Sequence, residues 1–392
     1  MRGHMTKRGK NSYSLAISLG KDPTTGKYKY QWVSVKGTKK EAEKRLSELL
    51  HQLDTGMFAK PGKTTLAEYL EQWLNDYCKS NVAPHTTQNY HFFVHKHIIP
   101  AIGQIPLTSL RPEHLQRLYA DKLSCGRKDG TGGLGSRSVR YIHVTMHKAL
   151  KSAMKLGIIA RNPADSLDVP KQKHREMQVM NESDIHIFLE YAKSTQYYPL
   201  FYLAIFSGMR RSELLALRWL DVDLLLCQLS VNRTLHQLHS REIIIREPKT
   251  AKGHRLIALS PSTVGVIREH RARQEQLRRS LGTTLADDEF VFCQHDGKPL
   301  LPDSVSRAWN ILAHRTGLKG VRLHDARHTH ASLMLKQGVH PKIVQERLGH
   351  SSIQITLDVY SHVTPGLQQA AANRFDEIVI STPEKEAVEN HY

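Results

Sequence analysis

Strict alternation of apolar and polar residues opens this chain, and most of the remaining sequence carries its apolar residues at helical spacing instead. The chain therefore needs at least two kinds of folding unit. At the front, SYSLAISLG and KYKYQWVSV alternate, and Lys21–Lys27 (KDPTTGK) between them supplies Pro and Gly turn chemistry. This predicts a β-hairpin. TKKEAEKRLSELLHQLDTG then places Ala42, Leu46, Leu49, Leu50 and Leu53 on one helix face, with Gly56 as its stop.

Residues 64–165 read as all-helical. TTLAEYLEQWLNDY puts Leu66, Tyr69, Leu70, Trp73 and Leu74 on one face, and TTQNYHFFVHKHIIPAIG, RPEHLQRLYADKL and SRSVRYIHVTMHKALKSAMKLGII repeat that spacing. A compact four-helix unit is expected. The polar stretch DSLDVPKQKHREMQ, with Pro170, reads as a linker. From Glu182 the pattern is mixed, with helices ESDIHIFLEYAKS, YPLFYLAIFSG and RSELLALRW, strand-like CQLSVNRT and REIIIREP, and helices again to about Ile380. The expected fold class is α+β multidomain: 1–60, 64–165, a linker over 166–180, 181–380, and a mobile tail over 381–392.

Charge narrows the partner. The 392 residues hold 56 Lys+Arg against 37 Asp+Glu, a net charge of +19 with His neutral, and residues 1–40 alone hold ten Lys/Arg against the single acid Asp22. A polyanion is implied, nucleic acid before an anionic membrane surface. No apolar run approaches the ~20 residues of a spanning helix, and MRGHMTKRGKNSYS lacks the apolar stretch of a secretory signal. A cytoplasmic, nucleoid-associated protein is expected. Cys78, Cys125, Cys227 and Cys293 form no CxxC pair, which argues against a disulfide framework or a cysteine zinc site.

Four segments can carry chemistry. In SGMRRSELLALRW a Gly-containing turn delivers Arg210 and Arg211 to a helix start, where cations oppose the helix dipole and invite a bound anion; two surface arginines are the plain alternative. In LHDARHTHASLMLKQG, His324 and Arg327 share a helix face and can both donate to one phosphate. His324 and His328 also have a zinc-ligand spacing, but a zinc hydrolase needs a carboxylate general base and a third ligand as well, and the intervening Asp325, Ala326 and Arg327 put a cation beside the supposed metal. VQERLGHSSIQITLDVYSHV sets His350 after a closing Gly349, with Tyr360 ten residues on. A phenol, with an ordinary pKa of about 10, becomes a nucleophile only beside cations or a base. REPKTAKGHRLIALS reads as strand, tight turn at Ala251–Gly253 and returning strand, with Lys249 near the tip. Two arginines, two histidines, a lysine and a tyrosine, with no acidic cluster for magnesium, suit metal-free phosphoryl transfer.

In this order and spacing, SGMRRSELLALRW, PKTAKGHR, LHDARHTHASLML and LGHSSIQITLDVYSHV resemble the tyrosine recombinase (phage integrase) family, over essentially residues 1–380. The chain is similar to integrases of temperate phages and of integrative conjugative elements of Gram-positive bacteria. The resemblance implies a site-specific DNA recombinase with Arg210 and the His324/Arg327 pair on the phosphate, Lys249 protonating the leaving 5′-oxygen, His350 supporting them and Tyr360 as nucleophile. It gives Arg211 no catalytic role and implies no cofactor and no metal.

The same resemblance implies an arm-site domain at 1–60, a three-stranded sheet plus helix, and a helical core-binding domain at 64–165. Lys27 and Lys29 around Tyr28, Tyr30 and Trp32, and Arg137 and Arg140, become the candidate DNA contacts; Trp32 packing on the 38–55 helix is the competing reading. The implied partners are double-stranded DNA with core and arm sites, three further protomers in a homotetramer on DNA, and an excisionase and host DNA-bending protein. Rival readings are a type IB topoisomerase and a catalytically silent DNA-binding regulator. Helix 365–378 would pack either in cis or on a neighbouring protomer.

Overall fold

A computed structural model describes residues 3–21, 26–54, 64–127, 130–171, 178–238, 240–248, 250–360, 372–373 and 375–377. The chain divides into two compact units, Met1–His174 and Arg175–Tyr392.

The first unit begins with an antiparallel sheet in the order β1 (Gly3–Gly9), β2 (Ser12–Lys21) and β3 (Tyr28–Lys36). Thr38 and Glu41 exchange backbone-to-side-chain bonds of 2.8 and 3.4 Å and so start helix α1 (Lys39–Asp54). The helix seats Ala42 and Leu49 on Tyr13, Leu15 and Ile17 of the sheet. Val33 and Val35 join that buried face, so strand alternation turns Tyr28, Tyr30 and Trp32 to the other face, each at least half exposed. Trp32 therefore does not pack on the helix; it meets the His4 ring edge-on at 5.5 Å.

The rest of this unit is helical: α2 (Leu66–Trp73), α3 (Pro84–Phe93), α4 (Pro112–Cys125) and α5 (Ser136–Lys155). Two π-helical turns, Leu74–Cys78 and Val94–Ile98, prolong α2 and α3. Leu70, Trp73, Leu115, Tyr119, Ile142, Met146 and Leu150 form its core, and the Tyr69 hydroxyl donates to the Ala149 carbonyl at 2.7 Å.

The second unit runs α6 (Glu182–Ala192), α7 (Tyr198–Ser207), α8 (Arg211–Leu214), β4 (Val222–Asp223), β5 (Gln228–Val231), β6 (Thr234–Gln237), β7 (Ile243–Arg246), β8 (Arg255–Ala258), α9 (Pro261–Ser280), α10 (Pro302–Arg315), α11 (Leu323–Lys336), α12 (Pro341–Leu348) and α13 (Ile353–Tyr360). Phe188, Phe201, Trp219 and Trp309 anchor its core.

Two local expectations change here. RSELLALRW is helical only over Arg211–Leu214, because Leu214 to Leu217 are all buried and one face of a continuous helix cannot bury four successive residues. The segment around Lys249 is not a paired hairpin either: β7 pairs with β6, while β8 pairs with β5, Val231 opposite Arg255 and Leu229 opposite Ile257. β7 and β8 thus belong to different small sheets, with the turn Ala251–Gly253 leading into β8.

Among the described residues no helix is long and apolar enough to cross a membrane. The expected 381–392 tail lies outside the described residues, as does all of helix 365–378 except Ala372, Asn373, Phe375, Asp376 and Glu377, which are helical.

Candidate active site

Gly208 ends α7 in the left-handed region, at φ +66°, where a side chain would be strained. Any Cβ there would also run into Leu348 and come within 2.9 Å of the His330 ring. This turn aims Arg210 across the unit. Its Nη2 donates to the Gly349 carbonyl at 3.3 Å, its Nη1 to Glu213 Oε1 at 2.8 Å, and its main-chain N–H to Glu213 Oε2 at 2.9 Å. The anion at this short helix start is thus the chain's own Glu213. Arg211 leaves the site, donating to the Pro302 carbonyl and the Ser306 hydroxyl.

Arg327 comes from α11 and is almost wholly buried. It donates through Nη1 to the Gly208 carbonyl at 2.8 Å and through Nη2 to the Leu348 carbonyl. Arg210 and Arg327 therefore converge on adjacent carbonyls of one turn. Burial, then the charge of Arg210, lowers the Arg327 guanidinium to about 9, which leaves it protonated at neutral pH.

That turn leads into His350. Gly349 sits at φ +65°, and a Cβ on it would lie 2.7 Å from the Lys252 carbonyl, so the approach of residues 252–255 requires glycine. His350 is buried; its main-chain N–H donates to the Gln345 carbonyl and its own carbonyl accepts from the Gln345 side chain, while its Nδ1 lies 2.9 Å from the Thr356 hydroxyl of α13. Burial and the neighbouring Arg327 and Arg210 push its imidazole down to about 3. It is neutral in use. Tyr360 closes α13 one turn beyond Thr356 and its side chain lies outside the described residues, as does Lys249.

His324 stands one turn before Arg327 on α11, its ring edge-on to His328 at 5.0 Å. Its ring stays accessible to solvent, yet the crowding of protein around it, then His328 and Arg327, lowers it to about 4. A neutral imidazole here can donate one hydrogen bond. His330 faces elsewhere: its Nδ1 meets the Ile205 carbonyl at 2.9 Å, and its Nε2 accepts from Arg347 Nε at 3.0 Å. His324, His328 and His330 thus do not share a centre, and among the described residues no three His, Cys, Asp or Glu side chains are grouped to hold a metal ion. A recess of about 300 Å³ opens beside Arg210, lined also by Thr234, His236, Gly349 and Ser351.

Glu213 and Arg255 were missed in the sequence. The third-position acid after Arg210 was a legible capping-box spacing. Arg255 ends the PKTAKGHR segment, but that spacing does not show that it meets Glu213; the pairing of β8 with β5 is what brings it in. Both oxygens of Glu213 accept from Arg255, at 3.2 and 2.8 Å.

In the first unit, Lys27 and Lys29 are exposed, but Lys29 shares the strand parity of Val33 and Val35 and so does not join the aromatics on their face. Arg137 and Arg140 are exposed on α5, the Arg137 guanidinium 6.0 Å from the Tyr141 ring centre.

Comparison with known proteins matches residues 177–366 to the Phage integrase family and residues 65–124 to the phage integrase N-terminal SAM-like domain. The chain is 26% identical to the ICEBs1 integrase of Bacillus subtilis (strain 168) over 377 residues, covering 94% of this chain and 97% of that one. Its fold is similar to the Tn1549 transposon integrase solved with transposon right end DNA (TM-score 0.66, 20% identity, 79% of this chain and 99% of that chain). It is also similar to lambda integrase solved as a tetramer on a Holliday junction (TM-score 0.55, 19% identity, 89% and 95%). The family matches and the full-length relative, together with the mostly helical fold carrying small antiparallel sheets, make this chain a member of the phage integrase family, a tyrosine-type site-specific DNA recombinase.

Proposed function

We propose that this recombinase integrates and excises a mobile element by cutting DNA through a 3′-phosphotyrosine at Tyr360, with no metal or nucleotide cofactor. The convergence of Arg210 and Arg327 on the Leu348–Gly349 turn carries this reading, because two fixed guanidiniums beside neutral His324 and His350 form a cradle for a phosphodiester. In this scheme the Tyr360 oxygen bonds to phosphorus as its hydroxyl proton passes to water, the bond to the 5′-oxygen breaks, and Lys249 gives that oxygen a proton which it regains from water. The covalent link conserves the energy needed for rejoining.

The other roles follow the same reading. Residues 1–60 hold arm sites through the open sheet face, and 64–165 close on core DNA with Arg137 and Arg140 toward the backbone. Residues 181–380 do the chemistry, beyond a linker at 166–180. Four protomers act together on two sites, as the lambda integrase tetramer suggests, with an excisionase and a DNA-bending protein setting direction, in the cytoplasm at the nucleoid.

The test is adduct trapping on nicked suicide DNA. The wild-type chain should form a phosphotyrosyl adduct that persists in excess EDTA, and Tyr360→Phe should form none while keeping DNA affinity within about threefold, since phosphate contacts dominate binding. An adduct formed by the Phe variant removes Tyr360 from this role.

A further inference from the structure

Glu213 is shared by two arginines, Arg210 of the G-M-R segment and Arg255, which ends the PKTAKGHR segment and to which the resemblance gives no role. The other, Arg255, lies on β8 with its side chain only 6% exposed. Its Nε donates to the Arg347 carbonyl at 2.7 Å, its Nη1 to Glu213 Oε1 and the Gly253 carbonyl, and its Nη2 to Glu213 Oε2 at 2.8 Å. Four of its five N–H donors are thus spent on the protein, against two for Arg327, so Arg255 is built to act on its neighbours and not on DNA.

We propose that Arg255 is a positioning residue for strand cleavage, acting through Glu213 to fix Arg210 in place and leave it a net positive charge toward the scissile phosphate. This role deepens the proposed function and rests on it.

Charge supplies the first argument. A buried carboxylate paired with Arg210 alone would neutralise it, and a neutralised guanidinium attracts a phosphate weakly. With Arg255 as a second partner, one negative charge is divided between two positive ones, and the trio keeps one positive charge. The buried carboxyl agrees with this balance: burial raises it, but Arg255 first and Arg210 second hold it below its ordinary range.

Geometry supplies the second. Arg255 engages both Glu213 oxygens with its fork and so fixes the carboxylate plane, while the Arg210 side chain and main-chain N–H each take one oxygen. The plane that Arg255 sets is the plane Arg210 is hung on. The same guanidinium ties the Gly253 end of the arm carrying Lys249 to the Arg347 carbonyl, two residues before Gly349. Lysine cannot replace it, because a single ammonium has no planar fork to engage both oxygens while also holding two carbonyls.

The test uses the full chain on nicked suicide DNA with wild type, Arg255→Lys, Glu213→Gln and the double variant, measuring single-turnover adduct formation, DNA dissociation constant and thermal midpoint. Wild type forming no adduct would overturn the functional reading itself. Given a wild-type adduct, Arg255→Lys should slow its formation about 10- to 100-fold while DNA affinity stays within about threefold. The double variant should be no slower than the slower single one, since both substitutions break one joint. Three outcomes overturn the inference: effects that multiply in the double variant, a rate loss matched by an equal loss of DNA affinity, or an Arg255→Lys chain that does not fold.

Discussion

The Arg327 guanidinium donates to the carbonyl of Gly208, a residue 119 positions earlier, at 2.8 Å. The G-M-R and H-x-x-R segments are thereby locked to each other before any DNA arrives. Gly208→Ala would force a methyl group into Leu348 and His330 at a φ that only glycine adopts without strain. We expect about 2–4 kcal/mol of lost stability and a larger proportional loss of cleavage, because Gly208 carries the Arg327 acceptor. Gly265→Ala is the control. Gly265 sits within α9 with open space at its Cβ, so alanine there should be neutral or stabilising by up to about 1 kcal/mol. Thermal unfolding of both variants beside adduct assays below their midpoints separates the cases.

Lys249→Ala should keep DNA binding and cleave roughly 10²–10⁴-fold more slowly, the usual worth of general acid catalysis. A substrate with sulfur in place of the 5′-bridging oxygen has a leaving group that needs no proton. That substrate should restore cleavage to the alanine variant. Slow cleavage of the sulfur substrate would give Lys249 another task.

The open face of the N-terminal sheet carries Tyr28, Tyr30 and Trp32, with the Lys21 ammonium 5.5 Å from the Tyr28 ring centre. As a β-ribbon reader of arm DNA, this face should lose affinity for arm sites when Tyr30 and Trp32 become Ser, with core-site cleavage on suicide substrates unchanged. These rings are already half exposed, so the sheet should stay folded. Equal arm and core affinities in variant and wild type, by gel shift, would remove the sheet face from arm recognition.

The periodicities exposed the front hairpin, the helical run from 64 to 165 and the mixed second half, because each repeats over many residues. Where the chain crosses between elements they gave less. CQLSVNRT reads as one strand, yet Gln228–Val231 and Thr234–Gln237 belong to different sheets, and no local pattern marks the change. The site divides the same way. Arg210, His324, Arg327 and His350 lie in short motifs whose spacing suggests their roles, whereas Arg255, at the end of PKTAKGHR, reaches Glu213 through a strand pairing opposite Val231 that no spacing shows. His330 shows the converse: it lies inside a histidine-rich motif, and its partners are a carbonyl of α7 and a guanidinium of α12.

Those partners make stability depend on pH. His330 is lowered to about 4, first by burial and then by Arg347, and His350 to about 3, first by burial and then by Arg327. An unfolded histidine titrates near 6.5. Between about pH 6.5 and pH 4 the unfolded chain therefore binds protons that the folded chain refuses, so folding is most favoured above this window and weakens as pH falls through it. Each such histidine contributes at most about 1.4 kcal/mol per pH unit. His330→Gln tests the assignment, since glutamine offers a donor to the Ile205 carbonyl and an acceptor to Arg347 but takes up no proton. Urea unfolding of the full chain at pH 5, 6 and 7 should show a smaller gain in stability with pH for the Gln variant than for wild type. Identical slopes would mean that His330 takes up its proton as readily in the folded chain as in the unfolded one, so that burial and Arg347 do not hold it neutral.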